Sequence, residues 1–456
     1  MSEVLQAPTD SPGPETDRSH RRRRPPWHWL RPNALRTLWQ WVVEHVKAID
    51  IDFRVFGMVV ALGVILIGFG IRTDGRFLEP VNLVNLSVQA VSIAILATGM
   101  TFIIVSLNID LSVGSVVGVV GMTYAYLMAR VLPDYIGFDH PLMWVIALAI
   151  GITLGALIGG VQGFIIAYVG VPSFVVTLGG LLAFRGVTWW ITKGVTISPV
   201  DPTFRLLGGG PQGSIGGTAS RVIGVVMCVV IIALLVSGRR QRRRFGFPVR
   251  PMWAEVVIGA VSSAAVLGLV RVFNAYKWPP ALAERRAAET GTTIPPDGLP
   301  AGIPWPILVL IGVAIVMTFV ARRRKFGRFV YAIGGNPEAT ELAGINTRWT
   351  IMKTFILMGV LAAISAAVAT ARLDGATLDL GEGYELYVIA AAVIGGTSFS
   401  GGIGTISGAV MGALVMASLA YGLSFIGLSS PIQDIVAGIV LVIAVAFDTI
   451  NRRRKV

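Results

Sequence analysis

Charge is scarce in this chain. Of 456 residues only 14% are Asp, Glu, Lys or Arg, 54% are hydrophobic, and the mean hydropathy is +0.73. A water-soluble globular domain carries about 25% charged residues, and a water-facing core stops growing near about 250–300 residues, so a soluble fold is excluded and the apolar residues need lipid. Cysteine is almost absent. Cys228 stands alone in the apolar run RVIGVVMCVVIIALLVSG, which excludes an intrachain disulfide and leaves it a packing role. The four histidines, His20, His28, His45 and His140, show no metal-ligand spacing, and no metal site is expected. Nucleotide-binding signatures are missing too. GGGPQGSIGG over 208–217 has no Lys-Ser/Thr after its last glycine and no strand before it, so it is not a phosphate loop. No nucleophile with a base in reach suggests an intramembrane enzyme.

What the chain has is a succession of apolar stretches, each long enough at about 1.5 Å per residue to cross a hydrocarbon layer of about 30 Å. The spans are read as 53–71, 82–107, 111–131, 142–169, 173–192, 221–237, 253–273, 305–320, 351–373, 385–396, 405–426 and 431–448. The expected fold is therefore an all-α polytopic membrane protein of about twelve spans, with ten to twelve as the range. Stretch 305–320 is shortened by Pro304 and Pro306, and 385–396 is short enough to be half of a re-entrant element. Residues 1–50, rich in Arg, Pro and Trp, read as a cytoplasmic tail, 51–450 as the permeating body and 451–456 as a basic end. Loops 193–220 and 274–304 lack an apolar period and read as outer surface loops.

The basic residues supply an orientation. With the N-terminus inside, segments 1–52, 238–252, 321–350 and 449–456 all face the cytoplasm, and they hold 24 of the 38 Lys and Arg. Both termini are thus expected to be cytoplasmic. The net charge of +13 becomes four short flanks to apolar spans rather than one stripe on a folded domain, which removes the motive for nucleic-acid binding.

Glycine is abundant, at 54 residues, and recurs at four-residue spacing within spans: Gly155, Gly159 and Gly163; Gly114 and Gly118; Gly404, Gly408 and Gly412. Such stripes let helix backbones approach closely. Two of them echo each other, Val113-Gly-Ser-Val-Val-Gly-Val-Val120 against Ile403-Gly-Thr-Ile-Ser-Gly-Ala-Val410, which leaves an internal repeat open. Each follows a polar interruption, SLNIDLS and GGTSFSGG. Intramembrane charge is costly and marks function or a partner. Asp110 can cap the helix beginning at Leu111 or Ser112, or line a pathway. Arg185 can snorkel or pair with a carboxylate.

The third basic cluster leads into GRFVYAIGGNPEATELAGINTRWTIMKTFIL. Here Pro337 suits a first helical position, Glu338 to Ala343 form a short helix, and Gly344 is a C-terminal cap. A short capped helix between spans on the basic side resembles the coupling helix of an ABC-importer permease. Glu338-Ala339 to Gly344 matches its Glu-Ala-Ala-x-x-x-Gly spacing, with Thr340 departing at the third position and no Ile-x-Leu-Pro ending downstream. Further motifs accompany it: Asn108-Ile-Asp-Leu-Ser-Val-Gly-Ser115, Pro172-Ser-Phe-Val-Val-Thr-Leu178, Phe184-Arg-Gly186, Tyr331-Ala-Ile-Gly-Gly-Asn336, Leu342-Ala-Gly-Ile-Asn346 and Ile394-Gly-Gly-Thr-Ser398. Together, from about residue 53 onward, they resemble the monosaccharide permeases of the ribose and xylose import systems. The extra helix pair and outer loop over 221–304, with Leu182-Ala-Phe-Arg-Gly and Thr196-Ile-Ser-Pro199, are most similar to the D-xylose branch of that family.

The resemblance implies a non-catalytic subunit of a bacterial cytoplasmic-membrane importer that dimerises, with itself or a paired permease, around a translocation path. It implies a cytoplasmic ABC ATPase that uses ATP and Mg, with no cofactor bound by this chain, and a periplasmic or extracellular sugar-binding protein. Glu338, Ala339, Leu342, Gly344 and Asn346 would couple to the ATPase, and the arginines nearby would orient the chain and contact anionic lipid. Asn108, Asp110, Ser112, Arg185, Thr397 and Ser398 are the pathway candidates, since a neutral sugar must be released rather than held. An importer of another sugar, such as ribose, or an ion-coupled secondary transporter are the competing readings. The second expects paired intramembrane carboxylates or histidine, which are scarce.

Overall fold

The computed structural model describes residues 53–291 and 293–453; the tail read over 1–50 and the final residues 454–456 lie outside them. The described residues form helices, α1 Phe53–Arg72, α2 Pro80–Val105, α3 Val113–Tyr126, α4 Met143–Phe164, α5 Ser173–Thr192, α6 Gly217–Arg244 and α7 Met252–Ala275 coming first. There follow α8 Pro280–Thr290, α9 Trp305–Arg323, α10 Lys325–Gly335, α11 Pro337–Leu342, α12 Thr347–Leu373, α13 Tyr384–Ile394, α14 Ile406–Phe425 and α15 Ser430–Arg453. Wider turns prolong α3 to Ile136 and α4 to Val169. Ten helices are long and apolar enough to cross a membrane among the described residues, and α13 and the apolar part of α15 are shorter. Stretch 305–320 thus becomes a full-length helix despite its prolines, because Pro304 and Pro306 stand at its N-terminus, where a missing amide costs no hydrogen bond. At 11 residues α13 covers about 16 Å, roughly half of the hydrocarbon layer.

Helix α2 is the axis of the bundle, with α9, α12, α13 and α14 packed around it. Lipid tails are as apolar as leucine, so helices in a membrane associate through close van der Waals packing rather than through escape from water. Small residues make that packing possible. The α4–α12 contact is set by glycine: a Cβ on Gly155 would collide with the carbonyl of Gly359, one on Gly159 with that of Phe355, and one on Gly163 would crowd Met352. Gly151 leaves room for the ring of Tyr124, whose hydroxyl donates to the Ala363 carbonyl at 3.2 Å. Gly408 and Gly412 do the same for α14 against α13, beneath the carbonyls of Gly395 and Ala391.

Three features differ from the sequence reading. Residues 280–290, read as part of a structureless outer loop, form α8. Its Pro280 is at the first position, Gly291 closes it at φ +63°, and Ala283 with the part-buried Leu282, rather than a long apolar stripe, supplies its packed face, so no hydrophobic period announced it. Residues 325–335 form the amphipathic α10, anchored by Phe326 stacked on Phe102 at 5.9 Å. The echoed glycine stripes do not sit in equivalent structure: Gly114 lies in the first turn of α3, whereas Gly404 precedes α14. The Thr405 side chain accepts from the Gly408 amide at 3.1 Å and starts that helix one residue later. Gly404 packs nevertheless, against the side chains of Val105, Thr101 and Thr397.

Overpacking one such contact is expected to cost about 1–3 kcal/mol. Gly155→Val should therefore lower the thermal unfolding midpoint in detergent by several degrees. Gly312→Ala in α9, where nothing lies within 4 Å, should leave it unchanged or raise it slightly.

Candidate functional site

The two polar interruptions meet in space. The amide of Gly402, in the second, donates to the carbonyl of Val105, at the head of the first, at 3.1 Å, and Gly401 lies against the side chain of Leu107. Backbone freed from a helix must be satisfied by protein where lipid offers no partner, and here each interruption helps to satisfy the other. Gly334, at the end of α10, fits between them: a Cβ there would collide with the Val105 carbonyl and crowd the Gly402 amide.

Asn108, Asp110 and Ser112 form one buried cluster. Asp110, only 3% exposed, accepts from the amide and hydroxyl of Ser112 at 2.9 and 2.6 Å. This is a turn ahead of the helix rather than a helix cap. Helix α3 begins at Val113, and Ser112, not Asp110, stands at its N-cap position. Ser112 is held in turn by Gln162 of α4, whose Nε2 donates to its hydroxyl at 2.8 Å. Asn108 donates to the Ser106 carbonyl at 2.8 Å, and the Ile109 amide donates to Ser173 at the start of α5 at 3.2 Å. The cluster therefore joins α2, α3, α4 and α5 around weakly polar groups. Thr397 and Ser398 are fully buried in the other interruption, where the Ser398 amide donates to the Ile403 carbonyl at 2.9 Å.

Arg185 stands apart from that cluster. It pairs with Glu382 at 2.6 Å, both side chains part-exposed, so of its two readings the structure takes the carboxylate partner. Glu382 lies in the segment leading to α13, and Gly381 and Leu380 of that segment press on Gly114 and Gly118 of α3. Glu385, 8% exposed, reaches toward Gly114 as well. Gln162, Glu382 and Glu385 went unread in the sequence. Gln162 is the one polar side chain in the glycine stripe GGVQGF, and GEGYELY sets two carboxylates beside the shortest apolar stretch; both signals were there to be weighed.

On the basic side, α11 projects from the bundle. Asn336 caps it by accepting from the Ala339 amide at 2.9 Å, and Pro337 is its first residue. Gly344, at φ +78°, closes it: its amide donates to Glu341 at 2.9 Å and that of Ile345 to Thr340 at 3.3 Å, the paired bonds of a Schellman motif. Thr340 is buried and anchors the helix. Glu338, Ala339 and Glu341 face outward, and Leu342 is 90% exposed. Asn346 belongs to the next element, capping α12 by accepting from the Trp349 amide at 2.8 Å.

A family model described as branched-chain amino acid transport system / permease component matches residues 82–445. The chain is 36% identical over 408 residues to the xylose transport system permease protein XylH of Haemophilus influenzae, covering 90% of this chain and 99% of that one. It is 36% identical to the XylH protein of Escherichia coli K12, over 89% of this chain and 94% of the relative. To the ribose import permease protein RbsC of Escherichia coli K12 it is 30% identical, over 80% and 85%. No solved structure matches the chain.

Gln162→Leu strips Ser112 of a buried partner and should cost about 1–3 kcal/mol, seen as a lowered unfolding midpoint. Arg185→Ala removes only a part-exposed pair and should cost under about 1 kcal/mol. Equal losses for the two would contradict this ranking.

Proposed function

The chain belongs to the permease-component family matched over residues 82–445, and from that premise we propose that it imports D-xylose. It is a multi-pass sugar permease of the ABC type in the bacterial inner membrane. The observation that carries the choice of sugar is the near full-length identity of 36% to xylose permeases against 30% to a ribose permease. In this reading two copies enclose the path, a sugar-binding protein delivers xylose to the outer loops, and a cytoplasmic ATPase supplies ATP and Mg chemistry. The chain itself forms no covalent intermediate and holds no cofactor.

Coupling runs through α11. An exposed leucine on a helix closed at both ends is a rigid knob, suited to a groove on a partner. Motion of that knob passes through Asn346 into α12, which packs along α4, α2 and α3 with glycine at its tightest contact. Because such interfaces shift between discrete packings, a push on α11 becomes a rigid-body displacement of the bundle. The cluster of Asp110, Ser112 and Gln162 and the pair Arg185–Glu382 then change their spacing. Hydroxyls, amides, one buried carboxylate already bonded to Ser112 and a part-exposed ion pair hold a neutral sugar weakly, as a conduit requires.

In proteoliposomes carrying the permease, its ATPase and its sugar-binding protein, labelled xylose should accumulate only with ATP, and ribose more slowly. Accumulation on an ion gradient without ATP would overturn the mechanism, and ribose preferred to xylose would overturn the sugar. Replacing Glu338 and Gly344 together, or Leu342→Glu alone, should cut uptake about tenfold or more while the protein stays in the membrane. Undiminished uptake would remove α11 from coupling.

A further inference from the structure

Beside the coupling segment, and apart from it, an open cavity of about 580 Å³ lies between the end of α9, the start of α10 and the start of α14. Two arginines on separate helices line it, Arg322 in the last turn of α9 and Arg328 in the first turn of α10. Neither has an ion-pair partner among the described residues, and no residue lining the cavity is acidic. The opposite wall is the N-terminus of α14, a 20-residue helix, with Thr405, Ile406 and Ser407. The Thr405 hydroxyl takes the Gly408 amide, which leaves the first-turn amides of Ile406 and Ser407 without an intrahelical acceptor. The cavity is held in shape by Tyr331 of α10, whose hydroxyl donates to the Gly404 carbonyl at 2.8 Å. Two arginines, a positive helix end and a serine thus border one space, the groups that bind a phosphate.

The surroundings choose among phosphates. Arg322 continues a stripe down α9 through Thr318 and Ile315, spaced as one helix face, and Ile315 and Phe319 are exposed at 64% and 47%. An anion site at the basic end of a span, opening onto an apolar helix face, has the two-part chemistry of a phospholipid. We propose that this cavity binds the headgroup phosphate of an anionic phospholipid of the cytoplasmic leaflet, with its acyl chain along α9. General attraction of basic flanks to an acidic leaflet needs no cavity and no particular arginine, whereas this site needs Arg322 and Arg328.

The test uses the full chain in neutral detergent, with binding read from the rise in unfolding midpoint on titration with lipid. Dioleoyl phosphatidylglycerol should bind more tightly than dioleoyl phosphatidylcholine, and Arg322→Ala with Arg328→Ala should weaken the anionic lipid roughly 30-fold or more through the loss of charge-assisted hydrogen bonds. Arg323→Ala with Lys325→Ala, which removes equal charge from the same rim outside the cavity, should leave it within about twofold of the parent. Should the first pair impair folding, Ser407→Glu gives an independent reading. An acid in the first turn of α14 suits the helix dipole yet places a carboxylate in the cavity, and it should weaken phosphatidylglycerol selectively. Equal binding of the two lipids, or equal loss in both arginine and control pairs, would overturn the site. Stabilisation by inorganic phosphate alone at the same concentration would make it a free-anion site and overturn the lipid assignment.

Discussion

Contact of one backbone with another, permitted by glycine, is the interaction on which this bundle depends. Helices in lipid gain little by hiding leucine from a solvent that is itself apolar. They gain when two backbones approach closely enough for many atoms to touch, and a Cβ at the crossing prevents it. Gly155 and Gly359, Gly408 and Gly395, Gly114 and Gly381 are such crossings, each with a carbonyl where a side chain would have to go. The same small residues close α4 onto α12 through contact of one backbone with the other.

Departures from helix follow from a second constraint, that a freed backbone group finds a protein partner. The interruption after α2 and the one before α14 meet at the Val105 carbonyl and the Gly402 amide, with Gly334 seated against both. The segment that carries α11 leaves the bundle from that junction. Between Gly334 and the exposed Leu342 lie only the Asn336 cap and one short helix. In the proposed coupling, a push on α11 enters the structure where its helices are already broken and paired.

Much of this was open to reading along the chain. Hydropathy placed the long helices. Asn336, Pro337 and Gly344 act as start and stop signals because capping is local chemistry. Helix α8 left no period in the chain since its packed face is only Leu282 and Ala283, and a period needs several large apolar residues to be visible. Gln162 escaped notice because a lone amide in a glycine stripe has no local partner; Ser112, the group it holds, lies fifty residues earlier in the chain.

By itself, then, the amino-acid order determined a helical protein immersed in lipid, its close-packing stripes and the capped helix beside its third basic cluster. These depend on periodicity, on transfer of side chains to lipid and on hydrogen bonds within a few residues. Only the tertiary structure decided that Arg185 meets Glu382, that Asp110 turns toward Ser112 rather than capping a helix, that Gly404 packs outside α14, and that two arginines share a cavity with a helix end. Such pairings join residues far apart in the chain, and which of many similar glycine faces meets which is settled only when all the helices pack together.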